Sequence, residues 1–231
     1  MSALSALLAS ADARQMLWLT AQVALASSLL HALFGLAIGY ALSRPSWRGR
    51  ALVDIAVTLP LVFPPMATGF LLLLLFGRHG PLGQPLRESF GIELVFSFPG
   101  LVLAAFIAGL PLAVKPIQSA FENLPKILAE AARTLGKNEW QIFWHILLPN
   151  IRNALIGGLV LALGRSLGEV GITLMLGGNI EGRTVTASLD IYNAVITGDF
   201  ERAGAVSLLL GMVTTALFVI LRRQSRAPLG W

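Results

Sequence analysis

The sequence predicts an all-α, polytopic helical membrane protein with about five transmembrane helices. Of its 231 residues, 55% are hydrophobic and only 13% are charged, and the mean hydropathy is +0.75. Soluble domains carry about a quarter charged residues, so this chain has too few charges to cover a water-exposed surface. Uncharged stretches long enough to cross a bilayer recur along the chain. We therefore expect residues 1–231 to form a single transmembrane domain with no separate soluble domain.

The first two spans are predicted at residues 17–42 and 55–76. The first is too long for the apolar core of a secretory signal and lacks a basic leader, so we expect it to be retained. The second contains Pro60, Pro64 and Pro65, and a proline inside a helix removes a backbone hydrogen bond. This span should be kinked or broken, with its freed backbone groups satisfied by neighbouring helices or by water in a cavity.

Three further spans are predicted at residues 94–114, about 150–176, and 203–221. A short or re-entrant helix within residues 184–197 is an alternative, because apolar side chains there fall near helical spacing. That run contains Asp190 and is too short to cross the membrane, which argues against a sixth span.

The basic residues are distributed unequally between the two sides of a five-helix arrangement. The richer side carries eleven and the other side five, so the positive-inside rule places the N-terminus outside and the C-terminus in the cytoplasm. Residues 115–149 then form a cytoplasmic loop, and residues 77–93 and 177–202 form extracytoplasmic loops. The net charge of +5 needs no nucleic acid, because the basic residues are spread over three loops. The eleven are Arg44, Arg48, Arg50, Lys115, Lys126, Arg133, Lys137, Arg152, Arg222, Arg223 and Arg226, and the five are Arg14, Arg78, Arg87, Arg183 and Arg202.

Beyond Arg152 at its inner end, the fourth predicted span is interrupted by two charged residues. Arg165 and Glu169 are four residues apart, so they share one face of a helix and can pair. Counted from Arg152 at 1.5 Å per residue, they lie roughly 20 and 26 Å along the helix, at membrane depth. Charges that face lipid are disfavoured, so we expect both to point into a bundle or a wet cavity. A functional polar site and a structural ion pair that fixes helix packing would each explain them.

The segment from residue 115 to 149 shows helical periodicity. Apolar residues predict a short amphipathic helix that ends at Gly136, and a second short run follows before Pro149 opens the next span. These two helices would either lie in the lipid interface or present a docking surface to a cytoplasmic partner. The first run is Phe121, Leu124, Leu128, Ala131 and Leu135, and the second is Trp140, Phe143 and Leu147.

The spacing of residues in this segment resembles the EAA signature of binding-protein-dependent ABC transporter permeases. Two longer stretches, LPLVFPPMATGFLLLLLFGRHGPLG and GRSLGEVGITLMLGGNIEGRT, are similar to permeases of the molybdate, tungstate and sulfate oxyanion branch. The LPLVFPP segment and the short chain most resemble molybdate permeases, and the GGNIEGRT run is also similar to tungstate permeases. The signature residues are Glu130, Ala131, Ala132, Gly136, Ile146, Leu148 and Pro149.

The resemblance implies an ABC importer permease fold and an inner-membrane location in a bacterium or archaeon. It also implies a homodimer, two cytoplasmic ATPase subunits and an extracytoplasmic oxyanion-binding protein. Glu130, Ala131, Ala132 and Gly136 would then belong to coupling helices in clefts on the ATPases. The alanines permit close approach to a groove, Glu130 offers a charged anchor, and Gly136 permits a sharp reversal.

The chain itself lacks the residues of an ATPase or of a metalloenzyme. Gly136-Lys137-Asn138 departs from a phosphate-binding loop, because Ala131 stands in place of the first glycine and Asn138 in place of Ser or Thr. We therefore expect a transport subunit and not an enzyme, with ATP and Mg²⁺ bound by the partner ATPase. The three histidines lie far apart in the sequence, so we expect no metal site and no cofactor in this chain.

An oxyanion pathway needs hydrogen-bond donors and positive potential. The predicted lining groups are Arg165, Thr68 and Thr173, together with backbone exposed near Pro64 and Pro65, and Glu169 would neutralise Arg165. A self-contained channel or ion-driven carrier is the rival interpretation, and it predicts flux without ATP or a binding protein.

Overall fold

The computed structural model describes residues 10–45 and 47–225, with side chains described as far as residue 219, and every regular element in these ranges is a helix. The predicted all-α fold is confirmed. Arg226, counted above among the basic residues, lies outside the described residues. The helices are α1 (Ala11–Ser43), α2 (Arg50–Val62), α3 (Pro65–Phe76), α4 (Gly83–Phe90), α5 (Phe98–Glu122), α6 (Lys126–Thr134), α7 (Glu139–Ile142), α8 (Leu148–Leu167), α9 (Gly171–Gly177), α10 (Ala187–Thr197) and α11 (Phe200–Ser225), with a π-helical turn, Phe143–Leu147, between α7 and α8.

Four helices in the described part of the chain are long and apolar enough to cross a membrane. They are α1, α5, the continuous helix Glu139–Leu167 and the Phe200–Val219 part of α11. The remaining predicted span is divided into α2 and α3, between which the backbone of Phe63 is extended. The break predicted from the prolines is therefore confirmed, although Pro60 itself stays within α2.

The central helix of the bundle is α5, which packs against both α1 and α8. About two thirds (67%) of its apolar stretch is buried, compared with 22% for α1. Small residues make these contacts close: a Cβ atom on Gly39 would lie 2.7 Å from Ile117 Cγ2, and one on Gly158 would lie 3.1 Å from the Ala113 carbonyl oxygen. Such residues let helices approach where lipid provides no hydrophobic drive for association. We call α1, α5 and α8 the frame.

Two ion pairs attach α2 to the central helix. Lys115 Nζ lies 2.5 Å from Asp54 Oδ1, and Arg50 Nη2 lies 3.1 Å from Glu122 Oε1. Lys115 is thus part of α5 and not of a loop, which corrects the boundary predicted at residue 115.

The predicted amphipathic helix starts later than its apolar pattern indicates. Helix α5 continues to Glu122, so Phe121 belongs to the span and not to the amphipathic helix. The amphipathic helix, α6, begins only at Lys126. Pro125 has no N–H group and disfavours helical backbone at Leu124, which favours the end of α5 before it.

The fourth span runs from Glu139 to Leu167, and not from residue 150 to 176 as predicted. Pro149 lacks the N–H group that would bond to the preceding turn, and the π-helical turn widens the helix just before it. Helix α7 therefore runs into α8 without a break. At the other end, residues 168–170 leave the helix and the chain resumes as α9. The short helix considered within residues 184–197 is α10, whose 11 residues do not make a span.

Candidate functional site

The segment 126–142 folds into a helical hairpin, which we call the α6–α7 knob. Gly136 has a φ of +77°, in the left-handed region. Its N–H donates to the Arg133 carbonyl at 2.9 Å, and the Lys137 N–H donates to the Ala132 carbonyl at 3.0 Å. Residues with a Cβ atom reach this conformation at a cost, so glycine at this position lets the chain reverse between α6 and α7.

The start of α7 is fixed by contacts made across the turn. The Gln141 N–H donates to Asn138 Oδ1 at 2.8 Å, and the Asn138 N–H donates to Gln141 Oε1 at 3.2 Å, which forms a capping box. Arg133 donates two hydrogen bonds to the Glu139 carboxylate, at 2.6 and 3.2 Å. These bonds raise the pKa of the Arg133 guanidinium. A two-point contact of this kind fixes orientation as well as distance. The knob is therefore held in one shape by its own residues.

The exposed surface of the knob carries large apolar side chains among charged ones. Glu130 and Ala131 are exposed, whereas Ala132 is buried. Exposed apolar surface of this kind marks sites of protein–protein or membrane contact. The large apolar side chains that are more than half exposed are Ile127, Leu135 and Trp140.

The other three signature residues lie at the root of the knob, where the chain enters α8. Leu148 packs against a buried cluster that contains Ile117 and Ile151. Ile146 is half-buried and Pro149 is exposed. The structure therefore divides the signature between an exposed hairpin and the helix that carries it.

Three aromatic rings connect the knob to the frame. The ring centroid of Phe143 lies 5.0 Å from that of Tyr40 in α1 and 6.3 Å from that of Phe121 in α5. The Tyr40 and Phe121 centroids are themselves 5.1 Å apart. These ring contacts place the start of the fourth span in direct packing with α1 and α5.

We expect Phe143→Ala to destabilise the protein by about 2 kcal/mol, because it removes ring contacts with two helices of the frame. The measurement is the midpoint of thermal unfolding of the purified protein in detergent. Trp140→Ala is the matched control, since Trp140 is 71% exposed and its ring packs edge-to-face on Trp144 and not on the three rings of this cluster. Equal shifts for the two variants would contradict the structural role of Phe143.

The break between α8 and α9 brings Arg165 and Glu169 together. Arg165 Nη1 lies 2.5 Å from Glu169 Oε2, and the exposed fractions of the two side chains are 29% and 1%. Glu169 Oε1 also accepts the Ile172 N–H at 2.7 Å, which satisfies one of the free donors at the start of α9. Glu169 is therefore both an ion-pair partner and a helix cap.

Glu169 borders a small cavity of about 10 Å³, room for about one water molecule. Ser188 Oγ donates to the Glu169 carbonyl at 2.9 Å, and Thr20 Oγ1 accepts the Ala187 N–H at 2.9 Å. The first bond joins α10 to the break, and the second joins α1 to α10. Of the lining hydroxyls, only Thr173 was predicted from sequence, because isolated Ser and Thr residues form no local pattern. The polar residues that line the cavity with Glu169 are Thr20, Ser166, Thr173, Thr186 and Ser188.

The predicted prolines lie at the neighbouring break, between α2 and α3. A Cβ atom on Gly171 would lie 2.9 Å from Pro65 Cβ and 3.0 Å from the Met66 nitrogen, so the two breaks are in contact. Pro64 and Pro65 are exposed. Thr68 is buried and its hydroxyl donates to the Pro64 carbonyl at 3.2 Å, so its proton is already engaged.

Arg165 lines a groove of about 490 Å³ between α8 and α11. Thr214 and Thr215 also line this groove, and Arg165 is the one charged residue among its described lining. Positive charge at this depth therefore reaches an open surface of the protomer.

Among the residues that the structure describes, no group of three or more His, Asp or Glu side chains is placed to hold a metal ion. His31 is fully buried, with its Nε2 2.9 Å from the Phe106 carbonyl oxygen and its ring stacked on that of Phe106. These are the contacts of a packing residue between α1 and α5.

The chain belongs to the family described as "Binding-protein-dependent transport system inner membrane component", which matches residues 32–226. Its class is thus the permease subunit of an ABC transport system, and its relatives are transport components. Among its relatives is the molybdenum transport system permease protein ModB of Escherichia coli (strain K12), 40% identical over 201 residues that cover 85% of this chain and 88% of ModB. The resemblance stated from the EAA spacing is confirmed.

The chain is also similar to a sulfate permease and to a solved ABC transporter structure. The sulfate transport system permease protein CysW of Synechococcus elongatus is 36% identical over 215 residues, which cover 90% of this chain and 75% of CysW. The crystal structure of a bacterial alginate ABC transporter, in complex with an alginate pentasaccharide-bound periplasmic protein, superposes with a TM-score of 0.78 at 19% identity. It covers 96% of this chain and 81% of that chain, and it establishes that the fold is that of an ABC transporter permease.

Proposed function

We propose that this chain is the membrane-spanning permease subunit of an ATP-driven ABC importer, and that it translocates molybdate delivered by an extracytoplasmic binding protein. The observation that carries the proposal is the α6–α7 knob, an exposed hairpin that presents Glu130 and Ala131 and is joined to the frame. Family membership and 40% identity to ModB support it. Tungstate, sulfate or thiosulfate is the alternative substrate, because relatives such as CysW carry the name of a sulfate system.

The proposed assembly contains two copies of this chain, two ATPases and one binding protein. The chain lies in the inner membrane of a bacterium or archaeon, with its N-terminus outside and its C-terminus in the cytoplasm. The knob then faces the ATPases, which bind ATP and Mg²⁺. Closure of the ATPases would displace the knob, and the Tyr40–Phe121–Phe143 rings would pass that displacement to α1 and α5.

The proposed pathway passes the two helix breaks. Arg165 supplies positive charge and Glu169 limits it, so an anion is attracted without being held tightly. Thr173 and the backbone near Pro64 and Pro65 add polar groups. Thr68 contributes its oxygen only, since its hydroxyl proton is engaged by the Pro64 carbonyl.

Uptake into proteoliposomes tests this function. The chain is reconstituted with its partner ATPase, and radiolabelled molybdate is supplied with loaded binding protein. We expect uptake that requires both ATP and binding protein, and that unlabelled tungstate inhibits more strongly than sulfate. Stronger inhibition by sulfate would assign the sulfate alternative. Flux without ATP or binding protein would contradict the importer and favour a channel or carrier.

A further inference from the structure

A cavity of about 540 Å³ lies at the end of α3, away from the Arg165 groove. Its walls come from the end of α3, from α4, from residues 92–96 and from residues 180–183. It is open and its polar lining is dominated by arginine. The charged residues that line it are Arg78, Arg87, Arg183 and Glu93.

The charges of this cavity do not balance. Arg78 Nη2 lies 3.3 Å from Glu93 Oε1, whereas Arg87 and Arg183 form no ion pair within the described residues. Three cations against one anion leave a surplus of two positive charges. Arginine side chains converging on a cavity repel one another unless an anion lies between them, and guanidinium groups bind tetrahedral oxyanions through paired N–H donors.

The segments that carry Arg183 and Glu93 are held in place by partly buried hydrogen bonds. The Asn179 and Asn193 side-chain amides exchange hydrogen bonds at 2.7 and 3.0 Å. The Ile180 N–H donates to Thr184 Oγ1 at 2.8 Å, and the Phe96 N–H donates to the Leu176 carbonyl at 2.6 Å. These two walls of the cavity are therefore ordered without a ligand, which reduces the entropy cost of binding.

Two of the arginines come from stretches that neither the knob nor the pathway uses. Arg78 belongs to GRHGPLG after the second span, and Arg183 belongs to GGNIEGRT after the fourth. Both stretches contribute to the resemblance to oxyanion permeases. Although far apart in the sequence, they meet at this one cavity.

We infer that this cavity binds a tetrahedral oxyanion through Arg87 and Arg183, with Glu93 holding Arg78 and limiting the affinity. The inference rests on the proposed function, because the orientation proposed there places the cavity on the side of the binding protein. An oxyanion released there would be retained at the outer surface. The same chemistry would also accept the phosphate of an anionic lipid head group.

The test measures binding of radiolabelled molybdate by equilibrium dialysis, with inorganic phosphate as competitor. The full-length chain is held in nanodiscs of phosphatidylcholine, without binding protein or ATP. Arg87→Gln and Arg183→Gln should each weaken binding by about three- to tenfold, and Glu93→Gln should strengthen it by a similar factor. Arg14→Gln is the matched control, because Arg14 is an exposed arginine of α1 that does not line the cavity, and it should leave binding unchanged.

Nanodiscs that contain phosphatidylglycerol separate the two sources of the anion. Unchanged molybdate binding assigns the cavity to a free oxyanion, whereas displacement of molybdate, with lipid retained in native mass spectrometry, assigns it to a head group. Absence of molybdate binding, or equal binding by all four variants, overturns the inference. If ATP-driven uptake occurs without such binding, the inference about the cavity is wrong and the proposed function stands. If molybdate binds in the cavity but no ATP-driven uptake occurs, the proposed function is wrong and the inference stands.

Discussion

Gly136→Pro is expected to reduce uptake and binding-protein-stimulated ATP hydrolysis by at least about tenfold, while the chain still inserts and is purified in normal amount. Proline fixes φ near −65° and therefore cannot adopt the φ of +77° at this position. It also has no N–H to donate to the Arg133 carbonyl. The reversal between α6 and α7 would be lost, so Glu130 and Ala131 would no longer be presented in one fixed position.

The matched control at this position is Gly136→Asn. Asparagine tolerates the left-handed conformation better than other residues with a Cβ atom, and open space surrounds the position where that atom would lie. This variant should keep most of the uptake. Normal uptake by the proline variant would refute the coupling role of the knob, and equal losses in both variants would refute the conformational explanation.

Arg165→Ala should lower the unfolding temperature more than Glu169→Gln. Loss of Arg165 leaves the 1% exposed carboxylate of Glu169 without its cation, and stranding a buried charge costs about 3–5 kcal/mol. The glutamine of the second variant still offers an oxygen to the Ile172 N–H, and the unpaired Arg165 side chain is 29% exposed and so less desolvated than the Glu169 carboxylate. Thermal unfolding of both variants in the same detergent measures the difference.

The double variant Arg165→Gln/Glu169→Gln separates stability from transport. It removes both charges together and keeps groups that can hydrogen-bond, so its stability should exceed that of Arg165→Ala. Uptake should nevertheless stay at least about tenfold below that of the unaltered protein, because the pathway has lost its positive charge. Recovery of uptake along with stability would show that the pair is structural and would exclude Arg165 from the pathway.

The sequence predicted those parts of the fold that local chemistry decides. The apolar stretches predicted the spans, and Pro64 and Pro65 predicted the break before α3, because proline acts on the adjacent backbone. The extension of α5 to Glu122 and the passage of the fourth helix through Pro149 were not predicted. Both depend on tertiary structure: Phe121 packs on rings from two other helices, and the π-helical turn accommodates the proline.

For the candidate site, too, the sequence predicted only the features that depend on local spacing. A spacing of four residues predicted the pairing of Arg165 with Glu169, and the signature spacing predicted the hairpin around Gly136. The hydroxyls of Thr20 and Ser188 gave no such signal, because they reach the α8/α9 break from distant parts of the chain. Convergence of this kind is a property of the packed bundle and not of any segment.

The contact between the two helix breaks has an evolutionary consequence. A Cβ atom on Gly69 would lie 2.9 Å from Ile172 Cα, and one on Gly171 would meet the backbone at the start of α3. Backbone cannot swing aside as a flexible side chain does, so a methyl group at either glycine would force α3 and α9 apart. Substitutions in residues 65–69 and 171–175 should therefore be epistatic. A replacement taken from a relative at one break would be tolerated only when its counterpart at the other break is exchanged as well.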